Sequence, residues 1–221
     1  MTAPQETFRS IVAHPKWFGM LAVTTVMVAF LTALPMTTEE GKQAQLDLQV
    51  SQMEAFGANV SDEQYEQMRG RSGMAAYFTA GSIIVFAPIM ALIISGLLFA
   101  VFNAAMGGEA SFKQVLAVVV HAGVISALSA AFTGPLNYFR GAVGSATNLA
   151  VLLPMIDEKS FIGRLLGMTD LFIIWWLVVL AMGLAVLFRR RTQPIAMSLL
   201  GVYAVIALCV AAVMSGLGGG N

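Results

Sequence analysis

The feature that most constrains this chain is a series of long apolar runs. Four of them are long enough to cross a bilayer as a helix, and a fifth, nearest the N-terminus, just reaches that length. The hydrocarbon core is about 30 Å thick, so a spanning helix needs roughly 20 residues. Hydrophobic residues make up 58% of the sequence and charged residues 11%, a balance far from that of a soluble domain. The sequence therefore predicts an all-α, polytopic membrane bundle with five transmembrane helices. The predicted spans are 17–35, 75–102, 114–134, 170–188 and 195–217.

The N-terminal segment, residues 1–16, is predicted to form a short helix at the membrane interface. Phe8, Ile11 and Val12 fall on one apolar stripe, and Pro15 ends the helix before the first span. An ordinary juxtamembrane tail is the alternative interpretation of this segment.

The 36–74 connection is predicted to form an extramembrane helical hairpin. Thr37–Glu40 and Ser61–Gln64 each have the spacing of a capping box, in which two side chains satisfy free N–H groups at a helix start. Apolar residues of the first helix recur at steps of three and four, so one face can be buried. They are Leu46, Val50, Met53, Phe56 and Val60. The hairpin is either a surface that docks a partner or a cap on the protein's own membrane face.

Twelve Lys and Arg balance twelve Asp and Glu, so the net charge is zero. The positions of the charged residues are therefore more informative than their sum. This balance indicates neither nucleic acid nor a polyanionic substrate. The Lys and Arg counts on the two sides of the membrane tie. Arg189, Arg190 and Arg191, however, are concentrated in one very short loop, and positive charges in short loops set orientation most strongly. We therefore expect a cytoplasmic N-terminus.

Small residues recur at four-residue steps in three of the spans. Such stripes let helix backbones approach closely, which stabilises helix association in a membrane. The candidate packing and interaction residues are Ala87, Ala91 and Ser95 in the second span, Ala122, Ser126 and Ala130 in the third, and Ala207, Ala211 and Ser215 in the fifth. We expect these three spans to form the packed centre of the bundle.

Groups that support catalysis or metal binding are scarce in the spans. His121 is the one ionisable side chain of note, and no second His, Cys, Asp or Glu stands at ligand spacing in any span. We expect His121 to be a buried polar residue with a structural hydrogen bond. Asp170 precedes the fourth span, where it can cap free N–H groups. We expect no catalytic residues, no cofactor and no metal.

Three stretches of the sequence match the pattern of a known family. They are Phe-Arg-Ser-Ile-Val-Ala-His-Pro at 8–15, Gly-Gly-Glu-Ala-Ser-Phe-Lys-Gln at 107–114, and DLFIIWWLVVLAMGL at 170–184. The motif positions in the last stretch are Asp170, Phe172, Trp175 and Gly183. On these residues the chain resembles the bacterial branch of the Ypt-interacting-protein (Yip) domain family of multi-span membrane proteins. The resemblance implies a single Yip-like membrane domain over 1–221, with five spans and a cytoplasmic N-terminus, and it implies a fold rather than an activity.

The preferred hypothesis is a non-enzymatic membrane scaffold, or an accessory subunit of a membrane protein complex, in the cytoplasmic (inner) membrane of a bacterium. Its expected partners are membrane lipids and other membrane proteins or a second copy of the chain, and not nucleic acid. The alternative is a component of a transport system, either an oligomeric pore or an exporter-associated subunit. A third hypothesis is a membrane enzyme that uses His121 with Glu109 or Asp170.

Overall fold

The fold is all-α, as the apolar runs predict. A computed structural model describes residues 3–153, 155–157 and 160–218, and within these ranges the β-structure is confined to one antiparallel bridge between Asn148 and Asp170. The α-helices are α1 (Ala3–Ala13), α2 (Phe18–Ala33), α3 (Glu39–Ala55), α4 (Asp62–Gly70), α5 (Ala75–Phe99), α6 (Phe112–Ala122), α7 (Val124–Arg140), α8 (Phe161–Met168), α9 (Leu171–Leu187) and α10 (Thr192–Gly218). Short 3₁₀ segments occupy Leu34–Thr37, Ser72–Met74 and Leu149–Leu152, and a π-helical turn occupies Ala100–Ala105.

The described chain contains four helical segments that are long and apolar enough to cross a membrane. They are Phe18–Thr37, Ser72–Ala104, Phe112–Arg140 and Thr192–Gly216. Each overlaps a predicted span, so the polytopic membrane architecture is confirmed. Helix α9 is apolar but has 17 residues, which at 1.5 Å per residue give a length of about 25 Å, short of the hydrocarbon core. The fifth crossing stays a prediction.

The third span extends beyond its predicted end. Helix α7 continues through Pro135 to Arg140. An internal proline removes one helical hydrogen bond, and membrane helices tolerate that loss. The stop signal is instead Gly141, whose φ is +58°. The next amide, of Ala142, donates to the carbonyl of Asn137 at 3.0 Å, which completes a glycine C-cap.

The predicted helical hairpin is confirmed, with one of its two caps displaced. Helix α4 begins with the expected capping box, in which Ser61 and Gln64 exchange hydrogen bonds of 3.1 and 3.3 Å. The predicted cap of α3 is wrong by one residue, since the N-cap is Thr38 rather than Thr37. Its hydroxyl accepts from the N–H of Gly41 at 3.0 Å. Glycine has no side chain to return a second hydrogen bond, so this cap is one-sided.

The chain forms two compact units. The single-domain organisation over 1–221 stays a prediction. The first unit comprises 1–28, 82–129 and 172–202. Its core combines α1 and the end of α5 with α6, α9 and the start of α10. In α6, Val115, Val118 and Ala122 are fully covered, because they recur at steps of three and four and so form one helix face.

The second unit comprises the described residues of 29–81, 130–171 and 203–221. It contains the hairpin, and Leu46 of α3 is buried there. Backbone approaches backbone where α7 meets the end of α2: a Cβ built on Gly134 would lie 2.5 Å from the carbonyl oxygen of Leu31. Glycine is therefore the residue that this close crossing requires.

Candidate functional site

The N-terminal helix α1 is docked on the core of the first unit. Phe8 is 4% exposed, and its ring lies over Gly183 of α9. A Cβ built on Gly183 would stand 2.7 Å from Phe8 Cε1 and 2.6 Å from Val118 Cγ1. The side-chain amide of Gln114 also donates to the carbonyl of Val12 at 3.2 Å. The three stretches that support the family resemblance therefore all contribute to one packed region.

The turn between α5 and α6 is held in place by its own hydrogen bonds. It begins in the π-helical turn that ends α5, a geometry that is frequent at functional sites. The Asn103 side chain donates to the carbonyl of Ala110 at 2.5 Å and accepts from its N–H at 3.3 Å. Gly107 has a φ of +68°, and a Cβ on Gly108 would lie 2.7 Å from Phe188 Cε1. The first glycine permits the turn and the second permits its contact with Phe188.

The loop between α9 and α10 places an arginine in a backbone conformation that favours glycine. Helix α9 ends in a Schellman motif, in which the N–H of Arg190 donates to the carbonyl of Ala185 at 3.0 Å. Arg189 has a φ of +53°, and no other residue apart from glycine has a positive φ in the described ranges. A left-handed conformation costs such a residue about 1–2 kcal/mol. The loop thus keeps a guanidinium at this position at the expense of backbone strain.

The glycine turn and the arginine loop line a cavity of about 460 Å³, which we call the arginine-loop cavity. Its walls are residues 106–110 and 186–190, with Val12 from α1, Phe102 from the π-helical turn, and Gln114 at the start of α6. The rings of Phe102 and Phe188 stack with a centroid distance of 4.7 Å and an interplanar angle of 19°. This volume is within the range of small-molecule sites.

The charges that line the arginine-loop cavity are unpaired with one another. Glu109, Arg189 and Arg190 are all exposed. No ion pair within 4.0 Å among the described residues links Glu109 to either arginine. The cavity is therefore lined by residues that carry two guanidinium groups and one carboxylate. Sequence reasoning did not identify this site, because its walls are far apart in the chain.

Comparison with protein families identifies the chain. The Yip1 domain model matches residues 1–214, which include all three stretches named above. The chain belongs to the Yip1 domain family. The predicted membership of the Yip domain family is thereby confirmed, and the chain is a multi-span integral membrane protein. No curated protein and no solved structure matches it.

In this Yip1 family member, the motif residues of α9 have different surroundings. Gly183 is buried under Phe8. Trp175 is 48% exposed, and its ring centroid lies 6.0 Å from that of Phe172. A large aromatic side chain on the uncovered face of α9 is suited to contact with lipid or a partner.

Asp170 organises the loop that precedes α9. It is 8% exposed, and its carboxylate accepts hydrogen bonds from the hydroxyl groups of Ser145 and Thr147, the latter at 2.8 Å. The N–H of Leu171 donates to the carbonyl of Thr147 at 3.3 Å. The Asp170 carboxylate therefore ties two distant parts of the second unit, a role that the expected helix cap did not include.

His121 makes the local hydrogen bond expected for a structural histidine. It is half-buried, and its Nδ1 lies 2.7 Å from the carbonyl oxygen of Ala117, one helical turn earlier. Among the residues with described positions, no three His, Cys, Asp or Glu side chains lie close enough to hold a metal ion.

The candidate packing residues lie mostly on covered helix faces. Ser95, Ala122, Ala130, Ala207 and Ala211 are buried, and Ala87, Ala91 and Ser215 are half-buried. Ser126 is exposed, because α6 ends before it and the chain turns at Gly123. The N–H of Ser126 donates to the carbonyl of Gly123 at 3.0 Å, a three-residue step that changes the phase of the stripe. The role of these residues in association stays a prediction.

The helices of the hairpin are joined by a polar network. The Gln43 side-chain amide donates to the Tyr65 hydroxyl at 2.6 Å and to the carboxylate of Asp47 at 2.9 Å. The Tyr65 hydroxyl donates in turn to Asp47 at 3.2 Å. A network that connects α3 with α4 gives the hairpin a defined shape.

The tip of the hairpin combines exposed apolar and acidic side chains. Met53 is 41% exposed and Phe56 is 55% exposed. Glu54, Asp62 and Glu63 are exposed beside them in the sequence. Two of the five predicted apolar-face residues are therefore uncovered, whereas Leu46 is buried. We call residues 53–63 the hairpin tip.

Proposed function

We propose that this protein is a non-enzymatic membrane scaffold or accessory subunit that binds a partner membrane protein through the hairpin tip. The observation on which the proposal depends is an extramembrane hairpin whose two helices are joined by hydrogen bonds and which exposes Met53 and Phe56. An ordered apolar surface outside the spans is typical of a protein interaction site.

The charge of the hairpin indicates the kind of partner. Residues 36–74 contain seven Asp and Glu against Lys42, Arg69 and Arg71, so the net charge is −4. An anionic membrane surface repels such a segment. We therefore infer that the partner presents an apolar patch with a basic rim, because complementary charges accelerate association and exclude other partners.

The proposal includes an orientation. We infer that the N-terminus and the arginine loop face the cytoplasm of a bacterial cell, because positive charges in short loops resist translocation. The hairpin then follows the first span on the other side of the membrane. A membrane-impermeant maleimide tests this orientation on a Gln67→Cys, Cys209→Ser variant, which the reagent should label in intact spheroplasts without disruption of the membrane.

Site-specific photo-crosslinking tests the partner. A photoreactive residue at Phe56 should capture one membrane protein in cells, whereas the same residue at the exposed Gln67 of α4 should not. Glu54→Lys with Glu63→Lys should reduce the captured fraction by about tenfold, because each charge reversal opposes a basic rim. Gln67→Lys is the matched control and should leave capture unchanged.

Three outcomes contradict the proposal. The crosslinks at Phe56 go only to lipid, or they go only to a second copy of the chain, or the charge reversals leave capture unchanged. The transport alternative makes a separate prediction, since it requires solute flux through purified protein in liposomes. A scaffold produces none.

A further inference from the structure

We propose that the arginine-loop cavity binds the headgroup of a phospholipid that carries both a phosphate and a primary amine, the chemistry of phosphatidylethanolamine. The proposal is independent of the hairpin and of the partner inferred above. It rests on the charges that line the cavity, on the apolar surface beside it, and on the rigidity of its walls.

The two arginines match a phosphate. A guanidinium presents its N–H donors in a planar fork that fits two phosphate oxygens at once. Arg189 and Arg190 are consecutive and both line the cavity. Helix α6 also begins beside the cavity, where Ser111 and Gln114 form a capping box with hydrogen bonds of 2.9 and 3.3 Å. The N-terminal end of a helix carries a partial positive charge, which favours an anion.

The carboxylate of Glu109 matches an amine. It lines the same cavity as the arginines without forming an ion pair with them in the described part of the chain. A primary ammonium group donates three hydrogen bonds, whereas the quaternary ammonium of phosphatidylcholine donates none. Glu109 therefore favours the first headgroup over the second. A headgroup without a cation, such as phosphatidylglycerol, leaves the carboxylate without a partner.

The apolar surface beside the cavity indicates a lipid rather than a soluble phosphate. Met106 lines the cavity and is 47% exposed, and it is preceded by Val101 in the π-helical turn, at 51%, and by Leu97 near the end of α5, at 64%. Positions four residues apart lie on the same helix face, so Leu97 and Val101 form an uncovered apolar path at the end of a span. Acyl chains can lie along this path while the headgroup occupies the cavity.

The walls are preorganised, which lowers the entropy that binding must remove. Asn103 fixes the turn through two hydrogen bonds to Ala110. The N–H of Gly108 donates to the carbonyl of Phe102 at 2.9 Å. The ring of Phe188 packs against Gly108 and Phe102. The Schellman motif fixes the direction in which Arg189 leaves α9.

Native mass spectrometry of the full chain in detergent tests the proposal. Delipidated protein is titrated with dioleoyl phosphatidylethanolamine, phosphatidylglycerol and phosphatidylcholine. We expect phosphatidylethanolamine to bind about tenfold more tightly than the other two, since a lost charge-assisted hydrogen bond changes affinity by about that factor or more. Equal binding of the three lipids overturns the proposal.

Variants assign the site. Arg189→Gly keeps the backbone conformation and removes one guanidinium, and Arg190→Gln removes the other. Together they should weaken phosphatidylethanolamine binding at least tenfold, whereas Arg191→Gln, outside the lining, should not. Glu109→Gln should remove the preference over phosphatidylglycerol. Unchanged binding in the double arginine variant overturns the assignment. If that variant loses its helical circular dichroism spectrum, Arg189→Lys with Arg190→Lys replaces it and should weaken binding by a smaller factor.

Soluble competitors distinguish a lipid from a free anion. O-phosphoethanolamine should displace bound phosphatidylethanolamine only weakly, because it lacks acyl chains, and inorganic phosphate should displace it less. If inorganic phosphate displaces the lipid as well as O-phosphoethanolamine does, the cavity is a general anion site and the lipid assignment is wrong.

Discussion

The ring of Phe8 fills the space that a side chain on Gly183 would occupy, with its Cε1 atom 2.7 Å from the position of a Cβ there. Phe8 lies in the N-terminal helix and Gly183 in α9, so one glycine determines whether the first helix can dock. Because Val12 of the same helix lines the arginine-loop cavity, docking of α1 also completes the wall of that cavity.

Gly183→Ala should weaken the docking of α1. The added methyl group overlaps Phe8 and Val118, and overpacking of this kind costs about 1–3 kcal/mol. Hydrogen exchange of the amides in Ala3–Ala13 should therefore accelerate. Gly201→Ala is the matched control, because a Cβ at Gly201 has no atom within 4 Å. Exchange in α1 that matches the native protein would count against the contact.

Alanine substitutions of the two neighbouring threonines test which of them caps α3. Thr38→Ala should destabilise the start of α3 by about 1 kcal/mol, because it removes the acceptor for the N–H of Gly41. Thr37→Ala should have a smaller effect, since the Thr37 hydroxyl donates to the carbonyl of Leu34 at 2.8 Å in an exposed position. Local hydrogen exchange in Glu39–Ala55 measures both. A larger effect at Thr37 would restore the sequence-based prediction.

Gly41 should tolerate no side chain. A Cβ there would lie 2.0 Å from the carbonyl oxygen of Pro35, and a backbone atom cannot move aside as a side chain can. We expect Gly41→Ala to lower the free energy of unfolding by about 1–3 kcal/mol or more. Gly73→Ala serves as the control, because its Cβ has open space. Thermal unfolding followed by circular dichroism in detergent compares them, and equal midpoints would contradict the close contact.

The Arg189→Gly variant should be more stable than the Arg189→Ala variant. Both substitutions remove the guanidinium, but only glycine adopts a φ of +53° without the strain of about 1–2 kcal/mol. Arg189→Gly should therefore unfold at a higher temperature than Arg189→Ala. Identical midpoints would show that the loop does not hold this conformation in solution.

Replacement of Asp170 by alanine should destabilise the protein more than replacement by asparagine. Asp170→Ala leaves the hydroxyl groups of Ser145 and Thr147 without their acceptor, which costs about 1–3 kcal/mol. Asp170→Asn keeps one acceptor oxygen and should lose less. Proteolysis of the 141–148 loop reports the difference, and cleavage at the native rate in both variants would contradict the network.

Much of the fold follows from local patterns in the sequence. The long apolar runs predict the membrane helices, and the Ser61–Gln64 spacing correctly predicts a capping box. The same reasoning fails by one residue at Thr38, because Thr37 belongs to the 3₁₀ segment Leu34–Thr37 and Thr38 is the residue that caps α3. It also fails at Pro135, where a glycine six residues later ends the helix.

Of the two candidate sites, one could be located from the sequence and the other could not. The hairpin tip could be located from the sequence, since its residues are close together in the chain, but the exposure of Met53 and Phe56 could not. The arginine-loop cavity escaped prediction altogether. Its motif glycines and its two arginines lie in separate stretches of the sequence, and no pattern within either stretch indicates that Gly108 meets Phe188.

The sequence by itself determined that this protein is an all-α membrane protein with a helical hairpin, because hydrophobic periodicity and capping depend on residues a few positions apart. Only the tertiary structure decided that Phe8 covers Gly183, that Asp170 holds Ser145 and Thr147, and that Arg189 faces a cavity. Those relationships depend on how distant helices pack. The shapes of whole helix faces determine that packing, and no local spacing encodes it.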